Sequence, residues 1–262
     1  MVRGLYTAAA GMNAQQNNID VTSNNIANVN TTGFKKDRAE FADLMYQSLN
    51  YTANATSENT NNPTGMNVGL GVRVSGIQKS FIQGSLKETG NSLDIAIQGK
   101  GFFQIETPAG DTNYSRNGSF KLDSDGAVVT GQGYKLLPEI VIPANMTNTS
   151  IAADGTVSAI NPADGTTNVL GQITLVDFIN PAGLSPKGNG LFSATTVSGD
   201  AIEGVPNTEA FGSLQQGMLE SSNVQLVNAM VDLITAQRAY ESNSKSLTTT
   251  DQMLQQVNQL KR

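Results

Sequence analysis

The side chains with the clearest chemical potential in this sequence are carboxylates in the middle of the chain. A pair of such groups can hydrolyse a glycosidic bond, one acting as acid and the other as base or nucleophile. Several of them, however, precede glycine, a position where the aspartate side chain usually caps its own backbone in a turn. The sequence therefore favours a structural role for these acids, which are Glu88, Asp94, Asp111, Asp123, Asp125, Asp154, Asp164 and Asp177.

Two short motifs point toward ligands but lack the residues that would complete a site. Asp123-Ser124-Asp125-Gly126 opens like a calcium loop, yet Lys135 and Leu136 stand in the region where a bidentate glutamate is needed. Gly99-Lys100-Gly101 has the glycines of a phosphate loop but no third glycine, no Lys-Ser/Thr pair and no helix pattern after it. Both motifs are predicted to be turns between strands, and we expect no metal, cofactor or catalytic residue.

Composition narrows the function classes further. The chain has 262 residues without cysteine or histidine, which excludes Cys/His zinc sites, disulfides, cysteine nucleophiles and Ser-His-Asp triads. Its 22 acidic and 16 basic side chains give a net charge of −6, so it has no general attraction for nucleic acid or anionic lipid. No segment approaches the roughly 18 consecutive apolar residues of a membrane helix, and the N-terminal residues lack a signal cleavage site. We therefore expect no nucleic-acid partner and no direct membrane insertion.

The sequence divides into four segments, and these must position the carboxylates and motifs named above. Residues 1–34 and 216–262 have helical patterns, residues 35–75 are predicted to form an extended linker, and residues 76–215 alternate short apolar runs with turns. The predicted fold is α+β, with the terminal helices paired as a coiled coil and an irregular central antiparallel β domain, sandwich-like or barrel-like. Strands are expected from about Val72, and the candidates are 93–98, 102–106, 139–142 and 172–179.

Both terminal segments carry apolar residues at heptad spacing. The columns are Leu5, Met12, Ile19 and Ile26 in the first helix, and Leu226, Leu233, Tyr240, Leu247 and Leu254 in the last. The companion columns are largely polar, so the two helices are expected to bury their better columns against each other. The other faces are polar with few charges, include Asn24, Asn25 and Asn28, and are predicted to contact neighbouring subunits. The alternative is an ordinary helical hairpin within one chain.

Three further motifs occur in order along the chain. The first is Asn24-Asn25-Ile26-Ala27-Asn28 followed by Thr31-Thr32-Gly33-Phe34-Lys35, where a helix is expected to end and Gly33 to be left-handed. The second covers residues 91–103 and 114–120, and the third covers 237–245 and 249–254. Together these motifs resemble those of the flagellar rod and hook (axial) protein family.

This resemblance implies a structural subunit of the bacterial flagellar basal body that catalyses no reaction. Such subunits assemble helically into a rigid tube that transmits torque and conducts exported subunits, with coiled coils inside and β domains outside. The implied partners are further copies of the chain, neighbouring rod and hook proteins, the P-ring and L-ring proteins, and the type III export apparatus. The implied location is the rod across the periplasm and outer membrane, reached without a cleaved signal peptide.

Within this family, the chain length and the opening residues 5–12 favour the distal part of the rod. The polar stretch that runs from Tyr46 through Pro63 to Met66 resembles the extra segment that the family associates with rod stiffness. A proximal rod or hook paralogue is the nearest alternative. A carbohydrate-active β domain with coiled-coil ends is the alternative from another class of function.

Overall fold

Two long helices lie near the two ends of the chain in the computed structural model of this protein. The structure describes residues 2–50, 55–57, 60–61, 66–108, 110–162 and 165–260. Helix α1 spans Val2–Ala27 and helix α2 spans Leu226–Leu260, which confirms the two terminal helices predicted from the heptad patterns. Of the helices that the structure describes, none combines the length and the apolar character that spanning a membrane requires.

Short strands fill most of the described chain between the helices. They are β1 (Asp37–Asp43), β2 (Tyr46–Asn50), β3 (Ala55–Ser57), β4 (Thr60–Asn61), β5 (Met66–Gly69), β6 (Val72–Lys79), β7 (Leu86–Glu88), β8 (Ile95–Gln98), β9 (Phe103–Glu106), β10 (Thr112–Ser115), β11 (Phe120–Leu122), β12 (Val128–Thr130), β13 (Lys135–Leu137), β14 (Thr147–Ile151), β15 (Thr156–Ile160), β16 (Thr167–Gln172), β17 (Leu175–Asp177), β18 (Ser185–Gly188), β19 (Leu191–Ser193), β20 (Ile202–Gly204), β21 (Ser213–Gln216) and β22 (Met218–Glu220). A 3-10 turn at Pro181–Gly183 follows β17.

The chain divides into two compact units. The helical unit comprises Met1–Ile26, Asp37–Gln78 and Gln225–Arg262, and the β unit comprises Ala27–Lys36 and Lys79–Val224. In the helical unit β1 pairs with β6, β2 with β5 and β3 with β4. The sequence predicts an extended linker here and strands only from about Val72, whereas the structure has strands from β1 onward. Strands β2 to β5 lie in an Asn- and Thr-rich stretch without the apolar alternation by which a strand is recognised, and four of the seven residues of β1 are charged.

The β unit is built on a seven-stranded antiparallel sheet in the order β11-β12-β13-β9-β10-β19-β18. Smaller sheets join β14-β15-β16, β17-β20, β21-β8 and β22-β7. The main core cluster includes Ile95, Phe103, Phe120, Leu136 and Leu175, each at most 1% exposed. The rings of Phe103 and Phe120 meet edge to face with centroids 5.1 Å apart. A central antiparallel β domain is therefore confirmed, and none of the sheets formed by the described residues closes into a barrel.

The predicted turns lie where the sequence places them. Asp125-Gly126 separates β11 from β12 and Asp154-Gly155 separates β14 from β15, with the two glycines at φ 80° and 84°. Such positive φ values favour glycine because it has no Cβ. Gly99-Lys100-Gly101 is likewise a connection between β8 and β9. Asp164, the third aspartate predicted to begin such a turn, lies outside the described residues.

One of the four strand candidates is wrong. Residues 139–142 form only an isolated bridge, in which Val141 pairs with Ala127. Pro138 and Pro143 flank the segment, and because proline has no N–H the ladder cannot extend through either end. The other three candidates contain shorter strands, β8, β9 and β17.

A glycine in the β core gives a direct test of this packing. A Cβ added to Gly118 would lie 1.6 Å from the carbonyl oxygen of Ile95, whereas one added to Gly131 would meet nothing within 4 Å. We expect Gly118→Ala to lower the free energy of unfolding by about 1–3 kcal/mol, since the backbone of β8 must move. Gly131→Ala should stay within about 0.5 kcal/mol of wild type. Urea unfolding measures both, and equal effects of the two variants would contradict the packing.

Candidate functional site

Three charged side chains from distant parts of the sequence meet inside the β unit. Lys35 Nζ donates a hydrogen bond to Glu220 Oε1 at 2.7 Å, and Arg116 Nε donates one to Glu220 Oε2 at 2.7 Å. The side chains of Lys35, Arg116 and Glu220 are 1%, 5% and 1% exposed. We call these three residues the buried charge cluster. Because an isolated charge costs several kcal/mol to bury, each member requires the others in place.

Backbone groups complete the hydrogen bonding of Lys35 and Glu220. Lys35 Nζ also donates to the carbonyl oxygen of Ile82 at 2.9 Å, and Gly84 N–H donates to Glu220 Oε1 at 2.7 Å. A Cβ on Gly84 would lie 2.0 Å from the carbonyl oxygen of Ser221. The segment that precedes β7 is thus held against the chain that follows β22.

Arg116 holds the turn between β8 and β9. Its guanidinium donates to the carbonyl oxygens of Gly99 and Gly101, and to that of Ile97 at 3.3 Å. The turn presents carbonyl acceptors to a cation here, whereas a phosphate loop presents backbone N–H groups to an anion. The glycine motif therefore supplies backbone acceptors to Arg116, a member of the buried charge cluster.

The electrostatics of the cluster follow from two cations sharing one carboxylate. Burial alone would raise the pKa of Glu220, but Arg116 and Lys35 outweigh it and hold that pKa below its ordinary value of 4.5. Burial lowers the pKa of Lys35 from its ordinary value of 10.5, against the attraction of Glu220 and with further repulsion from Arg116. Glu220 is therefore the fixed anion at the centre, and Lys35 holds its proton less tightly than an exposed lysine does.

The helix-stop motif packs around this cluster. Gly33 has φ 69°, which confirms the left-handed conformation predicted for it, and its N–H donates to the carbonyl oxygen of Glu220 at 2.8 Å. Phe34 is half-buried, with Lys79 Nζ 5.2 Å from its ring centroid. Asn223 donates through Nδ2 to the carbonyl oxygens of Ser80 and Ile82 at 2.8 and 2.9 Å, and its Oδ1 accepts from Lys36 N–H at 2.8 Å.

The heptad columns of the helical unit are only partly covered. Leu5, Met12, Ile19 and Ile26 on α1 are half-buried, as are Leu233, Leu247 and Leu254 on α2, whereas Leu226 and Tyr240 are exposed. The most buried helix positions are instead small or polar. They are Ala8, Ala14, Val21, Thr22 and Asn25 on α1, and Ala229 and Ala236 on α2. The predicted role of the columns in assembly stays a prediction.

An apolar surface remains open on α2. It consists of Leu226, Val227, Met230, Val231 and Ile234, which are 40%, 73%, 47%, 54% and 51% exposed. Spacings of three, four and seven residues place these side chains on one side of the helix, so we call them the α2 apolar face. An exposed apolar patch of this kind marks an interaction site on a soluble protein.

The polar residues predicted for assembly have different surroundings. Asn25 is buried in the helical unit. Its Nδ2 donates to the carbonyl oxygen of Asp37 at 2.7 Å, and its Oδ1 accepts a hydrogen bond from the backbone N–H of Asp37 at 2.8 Å. Asn24 is exposed and Asn28 is half-buried. Whether any of the three contacts another subunit stays a prediction.

The segment predicted to be specific to the rod is only partly described. Tyr46 and Met66 are 61% and 57% exposed and lie on the paired strands β2 and β5. Pro63 lies outside the described residues. The predicted role of the segment from Tyr46 to Met66 in the rod therefore stays a prediction.

The aspartates considered for catalysis make structural hydrogen bonds. Asp94 accepts from Thr89 Oγ1 at 2.6 Å and from Asn91 Nδ2 at 3.2 Å. Asp154 accepts from Thr156 N–H at 3.0 Å, a bond that lowers the pKa of its carboxyl group. A glycosidase needs one carboxyl whose pKa is raised so that it can act as the acid. Among these aspartates, Asp154 shifts in the opposite direction.

Sequence reasoning missed Glu220 and Asn223, and it treated Arg116 only as part of a motif. Lys35 and Glu220 are 185 positions apart, so neither periodicity nor spacing connects them. One signal was present for two of the three residues. Lys35 and Arg116 lie within glycine-containing motifs, and a charged side chain buried there needs a partner, but Glu220 lies outside all three motifs.

Three family models match separate parts of the chain. The model for flagella basal body rod protein matches residues 5–35, that for the flagellar hook protein FlgE/F/G D1 domain matches 96–159, and that for the flagellar basal body rod FlgEFG protein C-terminal matches 215–260. Each matched part contains one member of the buried charge cluster, Lys35, Arg116 or Glu220. The cluster therefore joins all three.

Curated relatives match over the whole chain. The flagellar basal-body rod protein FlgG of Borreliella burgdorferi is 49% identical, covering 100% of both chains. The protein of the same name from Agrobacterium fabrum is 49% identical over 96% of this chain and 97% of its own, and that from Bacillus subtilis is 41% identical over 100% of both. These likenesses favour the rod interpretation over the carbohydrate-active alternative.

Removing the central anion should damage the β unit most. We expect Glu220→Gln to lower the free energy of unfolding by about 3–5 kcal/mol, because it leaves two buried cations without a counter-charge. Lys35→Met should cost less, since one cation and one anion remain. Glu139→Gln, which breaks the exposed pair with Lys135, is the control and should change little. Urea unfolding measures the free energy of unfolding of all three variants. A larger loss of that free energy in Lys35→Met than in Glu220→Gln would contradict the role of Glu220 as the shared counter-charge.

The cluster also predicts a sensitivity to acid. The folded pKa of Glu220 lies below the unfolded value, near 4.5, so the unfolded state binds more protons between the two values. The stability that Glu220 contributes is complete above that unfolded value and is lost as pH falls through the folded one. The difference in unfolding free energy between wild type and Glu220→Gln should therefore shrink as pH is lowered from about 6 to about 3. A constant difference across this range would refute the assignment.

Proposed function

This chain belongs to the flagellar basal-body rod protein family, and from that premise we propose that it is a structural subunit of the distal rod. Copies assemble helically into a rigid tube that transmits torque and conducts exported subunits. Identity over the full length of the rod relatives supports this assignment over that of a proximal rod or hook paralogue. The observation that carries the assembly proposal is the exposure of the α2 apolar face within the part of the chain that the structure describes.

In this proposal the terminal helices are the assembly device. Residues 1–34 and 216–262 pair as a coiled coil that lines the tube, residues 35–75 form the rod-specific segment, and residues 76–215 form the sandwich-like or barrel-like outer domain. The close approach of Gly11 on α1 to the Asn243 side chain on α2 supports the pairing. The apolar face then packs against a neighbouring copy, which removes its side chains from water and supplies the driving force for assembly.

The same contact repeated along a screw axis gives a filament. In the cell the tube crosses the periplasm and the outer membrane, contacts neighbouring rod and hook proteins at its ends, and turns inside the P and L rings. The chain reaches the growing tip through the type III export apparatus without a cleaved signal peptide. It catalyses no reaction, a proposal that the structural hydrogen bonding of Asp94 and Asp154 supports.

A charge on the α2 apolar face tests the assembly proposal. We expect Val231→Asp to raise the critical concentration for polymerisation more than about 100-fold, because the carboxylate would be buried unpaired in the contact. Leu233→Asp should also abolish assembly, but Leu233 is half-buried, so this variant disturbs the helical unit as well. Sedimentation and electron microscopy measure polymer, and circular dichroism checks the monomer.

The matched control is Val197→Asp, which places the same charge on an exposed valine of the β unit, 68% exposed against 54% for Val231. It should leave the critical concentration of the purified protein close to wild type. Normal polymerisation of Val231→Asp would sink the proposal. Equal loss in both variants would mean that added charge, and not its position, prevents assembly.

A further inference from the structure

One glycine on α1 lies directly against a side chain of α2. A Cβ added to Gly11 would sit 2.8 Å from Asn243 Nδ2 and 3.3 Å from its Cγ, closer than carbon contacts normally allow. Glycine in a helix interior is unfavourable by about 1 kcal/mol relative to alanine, so a glycine there needs a compensating reason. The absence of a side chain at Gly11 supplies one, because it makes room for the Asn243 amide.

The position of Asn243 on α2 is equally specific. It follows Ala229 and Ala236 at intervals of seven residues, and those two alanines are 9% and 3% exposed. The column therefore changes from methyl groups to a half-buried amide at Asn243. An amide at such a position fixes register in paired helices, because a shift leaves its polar atoms without their proper surroundings.

The other glycine of α1 provides the contrast. A Cβ on Gly4 would meet nothing within 4 Å, so no neighbour in the described chain requires glycine there. The positions one turn from Gly11 in either direction are Ala8 and Gln15, so a shift of one turn would set the amide against a residue that has a Cβ. Of these three positions on α1, only Gly11 therefore leaves room for the Asn243 amide.

We propose that Gly11 and Asn243 form a notch and key that sets the register of α2 on α1 and selects the correct helix pair. The inference rests on the proposed function, because in a polymer the helices of many copies come close together and mispairing must be avoided. Gly11 and Asn243 are then specificity-determining residues for assembly. The partner that they select is α2 seated on α1 at one position.

The test asks whether the effect of Gly11→Ala on the critical concentration for polymerisation changes sign when Asn243 is replaced. Gly11→Ala should raise the critical concentration for polymerisation several-fold in the wild-type background, despite the better helix propensity of alanine. In the Asn243→Ala background the amide is gone, and the same change should lower it by up to about fivefold, the factor expected from helix propensity alone. Gly4→Ala is the matched control and should lower or leave unchanged the critical concentration in both backgrounds.

The outcomes separate this inference from the assembly proposal. A Gly11→Ala effect of the same sign and size in both backgrounds would overturn the notch and key. A wild-type chain that forms no polymer would refute the rod proposal alone. Wild type, Gly11→Ala, Asn243→Ala and the double variant would then be compared by the thermal loss of helical circular dichroism. The same reversal is expected in the midpoint temperature, and its absence would refute the inference.

Discussion

The carboxylate of Glu220, buried between Lys35 and Arg116, is the constraint on which the β unit depends. One oxygen meets each cation at 2.7 Å, and the three residues come from the three matched parts of the chain. Burying such charges gives little net stability in itself, but removing one partner is costly. The cluster therefore acts mainly to specify one arrangement. The segment that follows α1 brings Lys35 to Glu220, which lies in the segment before α2, and Arg116 must join them before all three charges are paired.

The helical unit differs from the β unit in what its buried and exposed positions carry. Its most buried helix positions are mainly alanines and polar residues, with Val21 among them, while Val227 and Val231 stay exposed. A monomer gains little from a helix pair packed on small residues, and it loses free energy by keeping an apolar face in water. Both features suit a subunit whose core is completed by its neighbours. On the assembly proposal, the helical unit reaches its full stability only in the polymer, whereas the β unit folds by its own contacts.

Local chemistry made several parts of this structure predictable. Gly33 is left-handed at φ 69° because a helix stop requires it, and Asp125-Gly126 and Asp154-Gly155 form turns for the same backbone reason. The heptad pattern predicted the two helices but did not point to buried positions such as Ala14 and Ala236, because the pattern is read from large apolar residues. The cluster around Glu220 was not predictable, since its members pair across more than a hundred positions. The strand predicted at residues 139–142 was wrong because a short apolar run has the pattern of a strand even when prolines flank it.

The central claim is that the α2 apolar face becomes buried against another copy when the chain assembles. Electron cryomicroscopy of polymers grown from concentrated, purified protein tests it most directly. The account predicts tubes in which Val227, Val231 and Ile234 of each copy lie against a neighbouring subunit near the inner wall. Tubes in which these three side chains face water, or filaments joined only through the β units, would contradict it.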